Sequence, residues 1–203
     1  MKLYQSVGPN PFAVKMFIAE KGMDVPREEV DIRGGANRQA DFLKINPRGQ
    51  SPALVTDSGQ LISEITAICE YLEEVQPSPP LIGTTPEERG ETRMWTRRID
   101  LGICEPMANG FRYGEGIKMF EPRMRVIPQA SDDLKACAQD LIGWLDKEMA
   151  GKTWVCGDRF TLADILLFTW LDFFAGINQP INPDFKNITA HHARTKARPS
   201  ASV

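Results

Sequence analysis

Several patterns are missing from this chain, and each absence narrows what it can do. Its four cysteines, Cys69, Cys104, Cys137 and Cys156, form no C-x-x-C pair. No secretory leader precedes them, so they are expected to be reduced thiols of a cytoplasmic protein rather than a disulfide frame. Only two histidines occur, the adjacent His191 and His192, and no His/Cys grouping has metal-ligand spacing, so no metal site is expected. Basic residues are not in excess: 24 Lys and Arg stand against 27 Asp and Glu, for a net charge of -3. That removes the overall electrostatic footprint of a nucleic-acid binder. The opening MKLYQSVGPNPF lacks the apolar core of a signal peptide. The most apolar run, Leu162 to Ile177, carries Asp164 and Asp172 and is too short to span a bilayer. There is no repeat and no low-complexity tract.

What is present is an ordinary globular composition, 42% hydrophobic and 25% charged, in 203 residues. That length suits one large or two small domains. Residues 2–5 read as a strand stopped by Pro9-Asn10-Pro11. A helix follows from Phe12 to Gly22, then a strand over 28–32 and a helix near 38–45. Strands over 53–56 and 60–62 flank a Gly59 hairpin signal. Ile65, Ile68, Cys69 and Leu72 then fall on one helical face. This β-α-β-α-β-β-α order suits a small sheet covered by helices.

Gln76 to Thr85 holds three prolines and a glycine without amphipathic period, which marks a linker. The expected division is therefore 1–76, a linker over 77–85, and a second domain over 86–203. Thr85-Pro86-Glu87-Glu88 is a helix start, with a hydroxyl cap, a first-turn proline and two acids at the dipole. The second domain reads as all helix. One helix is marked by Trp95, Ile99, Ile103 and Met107, with a kink or break expected at Pro106. Another shows Leu134, Cys137, Leu141, Trp144 and Leu145 on its apolar face. Thr161 and Asp164 form a capping box ahead of ILLF, a structural role for Asp164. A weaker helix over 185–196 precedes a frayed end, ARPSASV.

Three motifs in this order, NPRGQSPAL (46–54), SEITAI (63–68) and GDRFTLADI (157–165), resemble the cytosolic glutathione S-transferase family along essentially the whole chain. The resemblance implies an α+β, thioredoxin-like first domain with a cis-proline at Pro52, and an all-α second domain. It implies glutathione as co-substrate, no bound cofactor, and a homodimer. Ser51 would then pair the cysteinyl backbone of glutathione, as an extended peptide pairs with a strand. Glu64 would meet the γ-glutamyl ammonium, although an acid in a first turn capped by Ser63 is also favourable without a ligand. Ile65 stands where the family carries Ser or Thr, which leaves its backbone N–H to take the γ-glutamyl carboxylate. Gln50 replaces the lysine often found before the corner, with Arg38 and Arg48 as candidate cations.

At the position where the family stabilises the thiolate with Tyr, Ser or Cys, this chain has Asn10. Its amide can donate to a thiolate but cannot attack or accept a proton. Asn-Pro is equally a helix cap with a first-turn proline. Ser6 is the alternative hydroxyl. A small hydrophobic electrophile or a peroxide would sit between domains, against Met107, Phe111 and Tyr113. Two further readings stay open on the same fold: a non-catalytic ligand- or protein-binding member, and a glutathione-dependent disulfide reductase without its own cysteine.

Overall fold

The computed structural model describes residues 1–203, and the chain folds as two compact units. The first is Met1–Thr84 together with Arg198–Val203; the second is Thr85–Ala197.

The first unit runs β1 (Lys2–Gln5), α1 (Pro9–Glu20), β2 (Arg27–Glu29), a 3₁₀ turn (Ala36–Arg38), α2 (Ala40–Ile45), β3 (Ala53–Val55), β4 (Leu61–Ser63) and α3 (Ile65–Val75). The sheet order is β2-β1-β3-β4, with β1 parallel to β2 and the other pairs antiparallel. This is the thioredoxin-like arrangement that the motifs imply. Its core is Leu3 and Leu54 from the sheet, Val14, Met16, Phe17 and Ile18 from α1, and Ile68, Cys69 and Leu72 from α3. Each large side chain buried there contributes about 1.5–3 kcal/mol. Strand β2 is shorter than expected and fully exposed. It forms an edge of the sheet, where its charges Arg27, Glu28 and Glu29 discourage pairing with another chain.

The Pro-rich stretch after α3 is fastened to the first unit. Lys21, just past α1, forms a buried ion pair with Glu73 at 2.6 Å and donates to Pro79 O at 2.7 Å. Glu73 also accepts from the N–H groups of Leu81 (3.1 Å) and Ile82 (3.0 Å), which buries both side chains. The end of the chain corrects the expectation of fraying. Arg198 donates twice to Glu20, at 2.7 and 2.6 Å, and Ser200 bonds the same carboxylate. The last residues form a 3₁₀ turn, Pro199–Ser202, with Ser200 buried. Glu20 and Lys21, neighbours in sequence, thus hold the outgoing and the returning chain.

The second unit is α4 (Pro86–Ile99), a π-helical stretch (Asp100–Cys104), α5 (Glu105–Tyr113), α6 (Ile117–Phe120), α7 (Ser131–Glu148), α8 (Leu162–Ala175) and α9 (Lys186–Lys196). None of the helices is long and apolar enough to cross a membrane. Thr85 caps α4 by accepting from Glu88 N at 3.2 Å, as its sequence requires. The break expected at Pro106 takes the form of the wider π turn. Proline has no N–H to give the i−4 carbonyl and its ring crowds that group, and a π turn relieves both.

Helix α7 corrects the sequence reading. Cys137 and Trp144 are exposed, and the buried stripe is Ser131, Lys135, Ala138, Ile142 and Leu145. The reason is close packing on α5. A Cβ at Gly110 would lie 2.7 Å from Lys135 Cγ, and one at Gly114 would lie 2.5 Å from Ser131 Oγ. Glycine at these two positions of α5 therefore leaves room for Ser131 and Lys135 to be buried on this face, where Lys135 pairs with Glu115 at 2.8 Å.

The capping box at α8 is present, and Asp164 lies at the centre of a buried network. It accepts from Val155 N and Thr161 N, both at 2.8 Å, and from Thr161 Oγ1 at 3.1 Å. His191 Nε2 lies 2.9 Å away, and both side chains are fully buried. This partner lies 27 positions from the histidine, so no local motif announces the pair. Asp164 therefore ties α8, α9 and the segment before α8 together.

Candidate functional site

Strand register decides which residues meet. Tyr4 pairs with Ala53, and Ala53 pairs with Ser63. The chain leaving β1 toward Asn10, the chain entering β3 through Ser51-Pro52, and the chain leaving β4 into Glu64-Ile65 therefore share one end of the sheet. Ser51 Oγ donates to Tyr4 O at 3.5 Å, a direct link between two of these loops.

The Ser51-Pro52 bond is cis. Ser51 is half-buried, and neither its N–H nor its C=O is engaged by another backbone group. Residues that the sequence reading did not single out build this corner. Asn46 is buried, donates to Gln50 O at 2.8 Å and accepts from Arg48 N at 3.2 Å. Asn37, also buried, donates to Gly49 O at 2.6 Å. Gly49 has φ 61°, and a Cβ there would lie 2.6 Å from Asn37 O, so only glycine fits. The signal available beforehand was the turn-forming N-P-R-G itself. Gln50 is exposed, and its Oε1 accepts from Arg48 Nε at 3.2 Å, which leaves its Nε2 donors outward.

At the second loop the expected cap is corrected. Ser63 is the last residue of β4, and Glu64 is the N-cap of α3, with φ 72°. A non-glycine residue in this region carries about 1–3 kcal/mol of strain. Glu64 is exposed and its side chain makes no capping bond. Ile65 is the first residue of α3, so its N–H lies at the positive end of the helix dipole.

At the third loop, Gly8 at φ 118° is the N-cap of α1, and Asn10 is its second residue rather than the cap. Pro9 and Pro11 have no N–H, so Asn10 supplies the one free amide of the first three positions. The Asn10 side chain is half-buried, with Oδ1 fully buried and unpartnered. The Nδ2 donors are then what the side chain offers a ligand. Ser6 is buried, and its hydroxyl points to Val7 O at 3.4 Å.

In the second unit, Met107 is fully buried, so it belongs to the core and not to a binding wall. Phe111 is half-buried and meets Phe120 and Phe173 edge-on at 6.1 and 5.4 Å, and Tyr113 is half-buried at the end of α5. Burial pushes the thiols of Cys69 and Cys104 well above their ordinary range. It also raises Cys156, against the hydroxyls of Thr161 and Thr92. None of these three is a ready thiolate. No group of acids, histidines and cysteines could hold a metal ion.

Against known proteins, the N-terminal domain of glutathione S-transferases matches residues 1–74 and their C-terminal domain matches residues 129–199. Glutathione S-transferase 2 of Saccharomyces cerevisiae is 28% identical over 200 residues, covering 95% of this chain and 84% of the yeast protein. The disulfide-bond oxidoreductase YfcG of Escherichia coli is 27% identical over 98% of this chain and 91% of its own. The crystal structure of a glutathione S-transferase domain-containing protein from Marinobacter aquaeolei superposes with a TM-score of 0.92 at 33% identity, covering 98% of this chain and 99% of that one. With both domains matched and both units folded as the motifs require, this chain belongs to the glutathione S-transferase family.

Proposed function

We propose that the first unit binds glutathione and that the bound thiol itself is the reacting sulfur. The observation carrying this reading is the convergence of three loops at one sheet end, with an unpaired Ser51 backbone between Asn10 and the start of α3. The cysteinyl residue pairs with Ser51 as an added strand. The γ-glutamyl carboxylate meets the Ile65 N–H and its ammonium meets Glu64. The Gln50 amide serves the glycine end. Asn10 points its donors at the sulfur, and a charge-assisted bond of this kind favours the thiolate by about 1.5–3 kcal/mol.

The reaction we favour is attack of that thiolate on a disulfide. A new S–S bond forms to glutathione, the old one breaks, and the departing thiolate takes up a proton. No protein cysteine is needed, in keeping with Asn10 at the family's cysteine position and with three buried, protonated cysteines. The relationship to YfcG supports this. The relationship to the yeast transferase supports a second reading, conjugation of a small hydrophobic electrophile or reduction of a peroxide. A homodimer belongs to both readings and would show a solution mass twice the 22.7 kDa of the chain.

The test is turnover of a glutathionylated peptide and of an aryl halide by the wild type and by Asn10→Ala. Turnover of the disulfide alone, lowered at least tenfold by the substitution (about 1.4 kcal/mol), is the expected result. Turnover of the aryl halide alone selects the second reading. Glutathione binding without turnover of either overturns both, and leaves a binding protein.

A further inference from the structure

The loops that carry Asn37 and Gly49 also carry Arg33, Arg38 and Arg48, all exposed. Two of the three are held. Arg38 Nη1 donates to Arg48 O at 3.2 Å, and Arg48 Nε donates to Gln50 Oε1 at 3.2 Å. The buried Asn37–Gly49 bond fixes the two loops to each other. Arg38 and Arg48 are thereby gathered beside Gln50, at the rim of the sheet end described above.

Their charges are uncompensated. None of the three arginines has an ion-pair partner. The carboxylates on the same stretch are committed elsewhere: Asp31 Oδ1 accepts from Gly34 N at 2.8 Å, and Asp41 pairs with Lys44 at 2.9 Å. On a chain of net charge -3 this is a local excess of positive charge. The glycine carboxylate of glutathione can neutralise only one guanidinium. The other stays unpaired and open to solvent, with nothing enclosing it that would exclude a larger group.

We propose that Arg38 and Arg48 together form a subsite for two anionic groups, and that the ligand class is a γ-glutamylcysteinyl thiol whose third residue carries an additional carboxylate. This rests on the glutathione reading above. Gln50 directs the peptide's C-terminal end toward the arginines, and Arg33 on the neighbouring turn adds to the field. The guanidinium fork suits paired carboxylate oxygens better than a lysine at the same place would.

The experiment is calorimetric titration at low ionic strength with two S-methylated tripeptides, γ-Glu-Cys-Gly and γ-Glu-Cys-Glu. The expected result is tighter binding of the second by about three- to tenfold, the range for one or two exposed charge pairs. That gain disappears in Arg38→Gln/Arg48→Gln, and at about 1 M salt, where the screening length falls to ~3 Å. Both side chains are exposed, and circular dichroism checks that the variant is folded. Equal affinities for the two peptides, or a gain that survives the double substitution, overturns the proposal. Failure of both peptides to bind overturns the glutathione reading beneath it, which is a distinguishable result.

Discussion

Breaking the Lys21–Glu73 pair should loosen the whole first unit. Both side chains are fully buried, 2.6 Å apart. Lys21→Met leaves the Glu73 carboxylate in the interior with only the two backbone N–H groups of Leu81 and Ile82. Removing one partner of a buried pair costs about 3–5 kcal/mol. Glu73→Leu strands the Lys21 ammonium on Pro79 O and leaves the same two N–H groups without an acceptor, for a similar cost. In the double variant no charge is stranded, so its cost should fall short of the sum of the singles by at least ~2 kcal/mol. The assay can separate the units, because Trp95, Trp144, Trp154 and Trp170 all lie in the second. Tryptophan fluorescence thus follows the second unit, while native-state hydrogen exchange at β1 and α1 follows the first. Exchange there should quicken by about 10²–10³-fold or more in each single variant. A change below tenfold, or strict additivity in the double variant, would refute the claim that this pair staples residues 76–84 to the first unit.

Two further outcomes follow from the same structure. Asp164→Ala removes the acceptor for Val155 N, Thr161 N and Thr161 Oγ1 and leaves His191 unpartnered, so a loss of about 3–5 kcal/mol is expected in urea unfolding followed by tryptophan fluorescence. The Glu20 clamp should respond to acid. Burial raises its carboxyl, but the bonds from Arg198 and Ser200 and the charge of Arg198 outweigh this and hold it below the ordinary value of 4.5. A depressed native pKa gives stabilisation that is complete above the unfolded value and is lost as pH falls through the native one. Protection factors at residues 198–202, after division by the intrinsic exchange rate at each pH, should therefore fall below about pH 4.5 in the wild type and show no such fall in Glu20→Gln.

The sequence made the fold legible because its signals were local and strong. The Gly59 hairpin, the Thr85-Pro86 start and the Thr161–Asp164 box are each satisfied by residues within a few positions. Misreadings came where long-range contacts override local pattern. The face that α7 buries differs from its apolar pattern because Gly110 and Gly114, distant in sequence, make room there for Lys135 and Ser131. The chain end was misjudged because its partner, Glu20, lies about 180 positions away. At the site, the Ser51-Pro52 corner was legible from its flanks. The caps expected at Asn10 and Ser63 fall instead at Gly8 and Glu64, because both adopt a positive φ that propensity alone does not demand of that glutamate. Asn37 and Asn46, which fix the corner, are ordinary turn residues until their partners are known.

Whether Asn10 stabilises a bound thiolate is read most directly by calorimetric titration of the purified protein with glutathione and with S-methylglutathione, in the wild type and in Asn10→Ala. Both ligands should bind the wild type, free glutathione the more tightly. Asn10→Ala should remove this difference while leaving the S-methyl analogue's affinity within about threefold, since a methylated sulfur offers no thiolate to stabilise. Absence of binding at millimolar ligand would contradict the assignment of the site, and a preference for free glutathione that persists in Asn10→Ala would contradict the role given to that residue.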